Sequence, residues 1–499
     1  MKPLYTLCMI IGVFQIAFAQ LSYSKYFAFP PNLVAASPNM VSSGENTYLT
    51  GTVLMDGTDF GLFILKLNAL GDLIWQKIIP PMANSTFYQS SRQNGCIFLG
   101  DKVLVSIDYF QIPTFIQQGR VIAFDKNGEV VWTRDFESEN AVSDGPLLIL
   151  DDQNVARTSH SQSNSGNNFW RIDKIDLNGN IIWTKEIDAG SQLILDVGST
   201  VLHGDTIFFA SSVMENVSAT KFDLIVNMLS LDGILLNQKI ISSLPFQPSG
   251  NLALNQTGNR FFYDYYSKIG NSTNPLWCLE NWEQGGTIDE KCIGQNDNLR
   301  FARNFHLGAD GGVYGVGDIF MDDQPTSQRT GWAFKLEGNG EYLWNKIIID
   351  TVSEYSGGLT DIITNTDDSS LLACGALYEQ SLGITHSKIW LLKFRADGCF
   401  NENCSDTLYV PNPSSLTISP EVEVKLNIWP NPANNYIQIQ TSGFASFELR
   451  DITGKLFLMG DLHEEISEID LEGLPVGMYI ITANQNGTIL SKKIAINRL

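Results

Sequence analysis

The stretch Leu65-Lys66-Leu67-Asn68-Ala69-Leu70-Gly71-Asp72-Leu73-Ile74-Trp75-Gln76-Lys77-Ile78 alternates apolar and polar residues on both sides of a glycine. Period two marks strands, and a glycine that tolerates positive φ joins them as a tight hairpin. The pattern recurs. Ala123 to Phe136 turns at Gly128 and carries Trp132, Lys174 to Ile187 turns at Gly179 and carries Trp183, and Met228 to Ile241 turns at Gly233. Three further turns fall at Gly285, Gly340 (with Trp344) and Gly398, so the seven anchors stand 51 to 58 residues apart.

Side chains after each glycine keep the same face. Position +4 holds Trp75, Trp132, Trp183 and Trp344; position +6 holds Lys77, Arg134, Lys185, Lys239, Lys291 and Lys346; position +8 holds Ile79, Phe136, Ile187, Ile241, Ile293 and Ile348. The basic residue is read as covering the ring with its aliphatic stem and leaving its charge in water. A repeat of this length leaves room for two earlier strands, seen in Thr47 to Gly51, Thr206 to Ala210 and Gly312 to Gly317. Four-stranded units repeated four to eight times around a channel make a β-propeller. The expectation is an all-β chain with a seven-bladed β-propeller over 20–405. After Gly398 the outer strand is missing from the sequence, whereas Leu21, Tyr23, Lys25 and Phe27 reproduce its face. The chain is therefore expected to close by pairing its start with its seventh hairpin. The segment around Ala123 to Trp132 is similar to the blade repeat of pyrroloquinoline-quinone propellers and their non-enzymatic relatives. That resemblance implies the fold and no cofactor, because the residues that stack the quinone or hold its calcium are not found here. A sialidase turn is excluded by spacing: Asp125 stands three before Gly128 and Trp132 four after it.

Composition agrees with many short strands: 499 residues, 43% hydrophobic, 11% aromatic and 42 glycines. A net charge of −22 repels nucleic acid, so no nucleic-acid partner is expected. Lys2, the apolar run Leu7 to Phe18 and Ala17-Phe18-Ala19 read as a signal peptide over 1–19, and no later run is long enough to cross a membrane as a helix. In an oxidising compartment two cysteine pairs are close enough to bridge, Cys278 with Cys292 and Cys399 with Cys404, while Cys96 and Cys374 lie in apolar runs and read as core.

Residues 406–424 are rich in proline and serine and read as a linker. Beyond it, over 425–499, short alternating runs such as Tyr436 to Gln440, Ser446 to Arg450 and Met478 to Thr482 give a small Ig-like β-sandwich. Here Trp429-Pro430-Asn431-Pro432, then Asp451-Ile452-Thr453-Gly454-Lys455, then Leu474-Pro475-Val476-Gly477-Met478-Tyr479 and Lys492-Lys493-Ile494 resemble the type A C-terminal sorting domain of the type IX secretion system of Bacteroidetes-type bacteria. The resemblance implies passage through the outer membrane by the type IX machinery, removal of the tail by a sortase-like peptidase, and attachment of the remainder to surface lipopolysaccharide. It assigns the sorting motif to Pro430, Asn431, Pro432, Asp451, Gly454, Lys455, Gly477 and Tyr479.

Chemistry is sparse. The histidines His160, His203, His306, His386 and His463 have no metal-ligand spacing, and no metal is expected. Nucleophile-elbow, zinc-protease and phosphate-loop motifs do not occur. Asp151-Asp152, Asp322-Asp323 and Asp367-Asp368 read as solvated loops, and Phe261 to Tyr266 reads as packing. The sequence therefore points to an exported binding or adhesion propeller with an unidentified glycan or protein ligand. The alternative is a secreted glycan hydrolase or lyase with acids or histidines gathered at the channel mouth.

Overall fold

The computed structural model describes residues 22–498 apart from 30–32, 45, 56–58, 81–84, 91–94, 112–115, 137–140, 143–144, 191, 216–220, 245–247, 255–259, 270–271, 282–298, 309, 321–328, 338–340, 351–354, 366–369, 380–386, 401–403, 411–413, 418–425, 441–444, 463–465 and 486–487. The expected signal peptide and the Cys278–Cys292 pair fall outside the described residues. No helix occurs among those described. The chain divides into two units between Pro420 and Glu421.

In the first unit the described residues form seven sheets in chain order. The first runs Leu33–Ser43, Asn46–Met55, Asp59–Leu67 and Leu73–Ile79, each strand antiparallel to the next. The repeated stretch is thus the outer hairpin of a sheet, with Leu62 opposite Ile79 and Leu67 opposite Leu73. Its glycines take the positive φ expected of them: 72° at Gly71, 80° at Gly128, 79° at Gly179, 75° at Gly233 and 79° at Gly398. The side chain three residues before the glycine ties the turn, as where Asp125 Oδ1 accepts from the amides of Asn127 and Glu129 at 2.8 Å.

The ring at position +4 does not rest on its own strand's lysine alone. It lies across the glycine turn of the next sheet. A Cβ added at Gly128 would stand 2.8 Å from Trp75, one at Gly179 2.7 Å from Trp132, one at Gly233 2.8 Å from Trp183, and one at Gly398 2.7 Å from Trp344. The indole N–H groups of Trp75, Trp132 and Trp344 donate to the carbonyls of Lys126, Leu177 and Ala396 at 3.1, 2.9 and 3.1 Å. The basic head at +6 is also engaged across the gap rather than left in water: Lys77 with Glu129 at 2.5 Å, and Arg134 Nε with the Gly179 carbonyl at 2.5 Å.

Strand Tyr23–Ala28 pairs antiparallel with Ser387–Phe394, Tyr23 opposite Lys393 and Ala28 opposite Lys388. It becomes the strand that the seventh sheet lacks. It also repeats the contact between sheets, because the Tyr23 ring lies over Gly71 of the first sheet, where an added Cβ would meet it at 2.7 Å, and Lys25 bonds Asp72. The stretch read as a linker contributes to this unit. Thr407–Val410 adds in parallel to the outer strand Tyr342–Asp350, and Ser414–Thr417 adds in parallel to Tyr23–Ala28. Leu408 and Val410 are buried. The Cys399–Cys404 disulfide precedes these strands, and Cys96 and Cys374 are buried free thiols, as expected.

Near the middle of the inner strands, polar side chains tie the sheets. Buried Asp361 accepts from the amides of Met40 (2.7 Å) and Ile362 (2.8 Å) and from the Asn304 side chain, joining the first, sixth and seventh sheets.

The second unit has two sheets sharing one core. One orders Asn427–Trp429, Tyr436–Gln440, Ile466–Asp470; the other Leu456–Leu462, Ala445–Asp451, Gly477–Gln485, Thr488–Ile496. Alternation in Tyr-Ile-Gln-Ile-Gln buries Ile437 and Ile439 against Leu449, Ile481 and Ile494.

Burial pushes the Asp361 carboxyl up to about 7, against the three N–H donors that favour the carboxylate. A folded pKa above the unfolded one gives stability that is complete in acid and is lost as pH rises through about 7. Burial holds His160 and His306 neutral, with pKa about 4, and their opposite pH dependence cancels between variants. Asp361→Asn should therefore gain stability relative to the parent between pH 4 and 8, by up to about 4 kcal/mol. Urea denaturation at both pH values measures it, and a variant that loses ground with rising pH would show that the donors win.

Candidate functional site

Proline has no amide hydrogen, so Pro430 and Pro432 cannot donate to a neighbouring strand. Asn431 supplies what they lack. Its Nδ2 donates to the Lys493 carbonyl at 3.0 Å and its Oδ1 accepts from the Ala495 amide at 2.9 Å, making the side chain a substitute for backbone. The backbone resumes at Ala433, whose amide donates to the Ala495 carbonyl at 2.7 Å. Asp451 closes the hairpin turn: its Oδ1 accepts from the Thr453 amide, the Thr453 hydroxyl and the Lys455 amide at 2.8, 2.6 and 3.0 Å. The Thr453 hydroxyl, first among these, holds the exposed Asp451 carboxyl below its usual range. Gly454 takes φ of 90° in that turn, and Lys455 reaches over the Phe457 ring. Buried Tyr479 donates its hydroxyl to the Pro475 carbonyl at 2.8 Å and meets Phe457 edge-on. Gly477 has only Tyr479 near it, at 3.9 Å from an added Cβ. The sorting residues thus pin turns and one strand edge, leaving Lys455, Lys492 and Lys493 exposed.

The first unit holds a pocket of about 160 Å³ where the inner strands of the first, sixth and seventh sheets meet. Each of these strands slips register once, between Ala36 and Asn39, Ala302 and Asn304, and Leu359 and Asp361. A bulge re-aims its extra residue, and the extra residues Ser37-Pro38, Arg303 and Thr360 all line the pocket. Ser37 takes φ of 48°. The Thr360 hydroxyl donates to the Pro38 carbonyl at 2.6 Å, linking two of the bulges.

Asp318 stands beside them. Its Oδ2 receives Arg303 Nη2 at 2.7 Å and Nε at 3.2 Å, with Arg329 Nη2 at 3.8 Å. Gly358 makes room for it, since an added Cβ would sit 1.8 Å from Asp318 Oδ1, and Gly357 lets the strand approach the Ala376 carbonyl. Tyr378 completes the wall, and burial raises its phenol pKa. The described lining contains one carboxylate, held by two guanidinium groups, which suits retention of a polar ligand. Among the described residues no cluster of His, Cys, Asp or Glu could hold a metal. His160, His203 and His306 lie in strands, and Asp151 caps a turn. Asp322-Asp323, Asp367-Asp368, His386, His463 and the side chains of Phe261 to Tyr266 lie outside the described residues.

With the geometry of both units in place, comparison with known families separates them in the same way. Residues 427–497 match the family model described as secretion system C-terminal sorting domain. The tail is a type IX sorting domain. Residues 64–247 match the model for outer membrane protein assembly factor BamB, a quinoprotein-type β-propeller, so a β-propeller is present alongside that sorting domain. No curated protein matches in sequence. Similar solved structures include the β-propeller domain of the Trilobed protease from Pyrococcus furiosus (11% identity, 75% of this chain and 99% of that one, TM-score 0.41). The WD40 domain of Toxoplasma gondii coronin is another (8%, 75% and 86%, TM-score 0.39), as is the Pyrococcus horikoshii acylaminoacyl peptidase (11%, 82% and 57%, TM-score 0.38). The sorting domain supports delivery to the cell surface or beyond and contact with the secretion machinery.

Sequence reading missed the pocket. Its one local signal is Gly357-Gly358 inside a strand, which marks a close backbone approach.

Asn431→Asp keeps the acceptor and removes the donor, placing a carboxylate oxygen against the Lys493 carbonyl. It should destabilise the sorting domain by about 1–3 kcal/mol. Hydrogen exchange at Ala495 and Asn497 measures this; unchanged protection would show that the amide is not the substitute described.

Proposed function

We propose that the first unit is a closed seven-bladed propeller acting outside the cell as a binding or adhesion module. On this reading the signal peptide 1–19 directs the chain across the inner membrane, and the type A, Ig-like tail carries it through the outer membrane. A sortase-like peptidase then removes the tail, and the remainder is released or joined to surface lipopolysaccharide. Seven sheets among the described residues, with the first strand completing the last, support the blade count. The Tyr479 hydroxyl bonded four residues upstream supports the Ig-like reading, since sandwiches of that kind use such a tyrosine corner.

The observation that carries the binding reading is the pocket between three sheets, lined by bulge residues and a buried Asp318 that fixes two arginines. Sites built on rigid strands are pre-organised for recognition. The test pairs a glycan array with hydrolase and lyase assays on the full chain. Stable binding without turnover is expected, and turnover without stable binding would reverse the reading. For export, deletion of residues 425–499 should leave the protein in the periplasm, and normal surface appearance of the truncated chain would refute the role given to the tail.

A further inference from the structure

Two sheet edges of the first unit are covered by the chain's own extended segment. Thr407–Val410 runs parallel to the outer strand Tyr342–Asp350, from Thr407 opposite Ile347 to Val410 opposite Asp350, and Ser414–Thr417 runs parallel to Tyr23–Ala28. The first addition opens where the Ile347 amide donates to the Asp406 carbonyl at 2.9 Å and Lys346 Nζ to the Ser405 carbonyl at 3.0 Å. Leu408 and Val410 then enter the core that holds Ile348 and Trp390. An outer edge in this unit therefore accepts an extended strand of alternating apolar residues.

An edge left open is a template for another chain, and proteins blunt such edges with charge or proline. The other outer edges differ in this respect at position +7 from the turn glycine, where the sixth sheet has Ile347. The second and third sheets place Asp135 and Glu186 there, and the first stops at Ile79 before Pro80, which has no amide to donate. The fourth places Ile240. Its outer strand Leu235–Leu244 reads Lys239-Ile240-Ile241 where the sixth reads Lys346-Ile347-Ile348. Both strands slip register once between positions +2 and +4, after the pairs Leu229 with Leu235 and Leu336 with Tyr342. Equal phase means that the amide pointing outward at Ile347 points outward at Ile240 as well. Beyond Ile241 the fourth strand slips again, so the outward amides in step are those of Gln238 and Ile240. Among the described residues no strand pairs with this edge. Ile240 is 51% exposed on it and the bulge residue Leu236 55%.

We propose that the outer edge of the fourth sheet, over residues 237–241, docks an extended peptide of the same chemistry as Thr407–Val410, alternating apolar residues added in parallel. Main-chain hydrogen bonds supply the affinity in this mode of recognition, and side chains such as Ile240 and Leu236 the preference for apolar partners. The inference stands apart from the inner-strand pocket, and either can fail without the other.

The experiment adds the synthetic peptide Ser-Asp-Thr-Leu-Tyr-Val-Pro, residues 405–411 of this chain, to the full chain and follows amide hydrogen exchange at Gln238 and Ile240. Peptide at about ten times its dissociation constant should slow both amides about tenfold. The same peptide carrying Leu408→Asp and Val410→Asp should slow neither. Ile240→Lys, a change at an exposed position, should abolish binding of the peptide with the melting temperature unchanged, and exchange in the parent chain decides on its own should that variant melt lower. Exchange at Ile240 indifferent to the peptide, a change confined to Ile347, equal action by the aspartate peptide, or Ile240→Lys binding like the parent would each overturn the proposal. So would protection of both amides without peptide that fades on dilution, because a second copy then holds the edge.

Discussion

An aromatic ring laid across the glycine turn of the neighbouring sheet is the contact on which the rest of the propeller depends. It needs a glycine twice over, once for the left-handed backbone and once because a β-carbon would stand within 2.8 Å of the ring. It also needs an outer strand of fixed length and phase, so that the ring and the basic side chain two residues later reach the next turn together. A sheet whose outer face is completed by its neighbour cannot bury that face alone. The last sheet must therefore find a ring from elsewhere, and Tyr23 brings it to Gly71.

This dependence explains which features were legible in the sequence. Hairpins were, because alternation around Gly71, Gly128 or Gly179 is local. The return of Tyr23–Ala28 to the seventh sheet is also legible, since Tyr23, Lys25 and Phe27 repeat the ring, base and apolar residue that follow Gly71, Gly128, Gly179 and Gly340. The direction of the ring contact was not. Period two tells which face a side chain occupies and is silent about which neighbour meets it, so it predicts the Lys77 charge in water, whereas that charge pairs with Glu129 of the next sheet. Residues 406–424 misled for a related reason. Parallel pairing at a sheet edge leaves no local signature, and Pro411 and Pro413 flank short strands that read as linker.

The pocket was hidden by its own construction. Arg303, Thr360 and Ser37-Pro38 line it because each sits where the strand slips phase, and a slip breaks the periodicity used to find strands. Ser37-Pro38 also stands more than two hundred residues from Arg303 and Thr360, and closure of the chain on itself brings it to them. In the sorting domain the opposite holds. Asn431, Asp451 and Tyr479 each satisfy backbone groups within a strand edge or turn, so their spacing is local and the resemblance was carried by sequence alone. The two units therefore divide the work: the tail is read by the export machinery, while the propeller holds distant side chains in one fixed cluster.

Closure by Tyr23 is most directly measured with a double-mutant cycle between Tyr23→Ala and Gly71→Ala, set beside the cycle between Trp132→Ala and Gly179→Ala, in urea denaturation. If the first strand makes the same contact as the repeats, alanine at Gly71 costs less once the tyrosine ring is gone. Both cycles then give a coupling of about 0.5–3 kcal/mol. Additive effects for Tyr23 and Gly71, alongside coupling for Trp132 and Gly179, would contradict the account and leave the chain an open row of sheets.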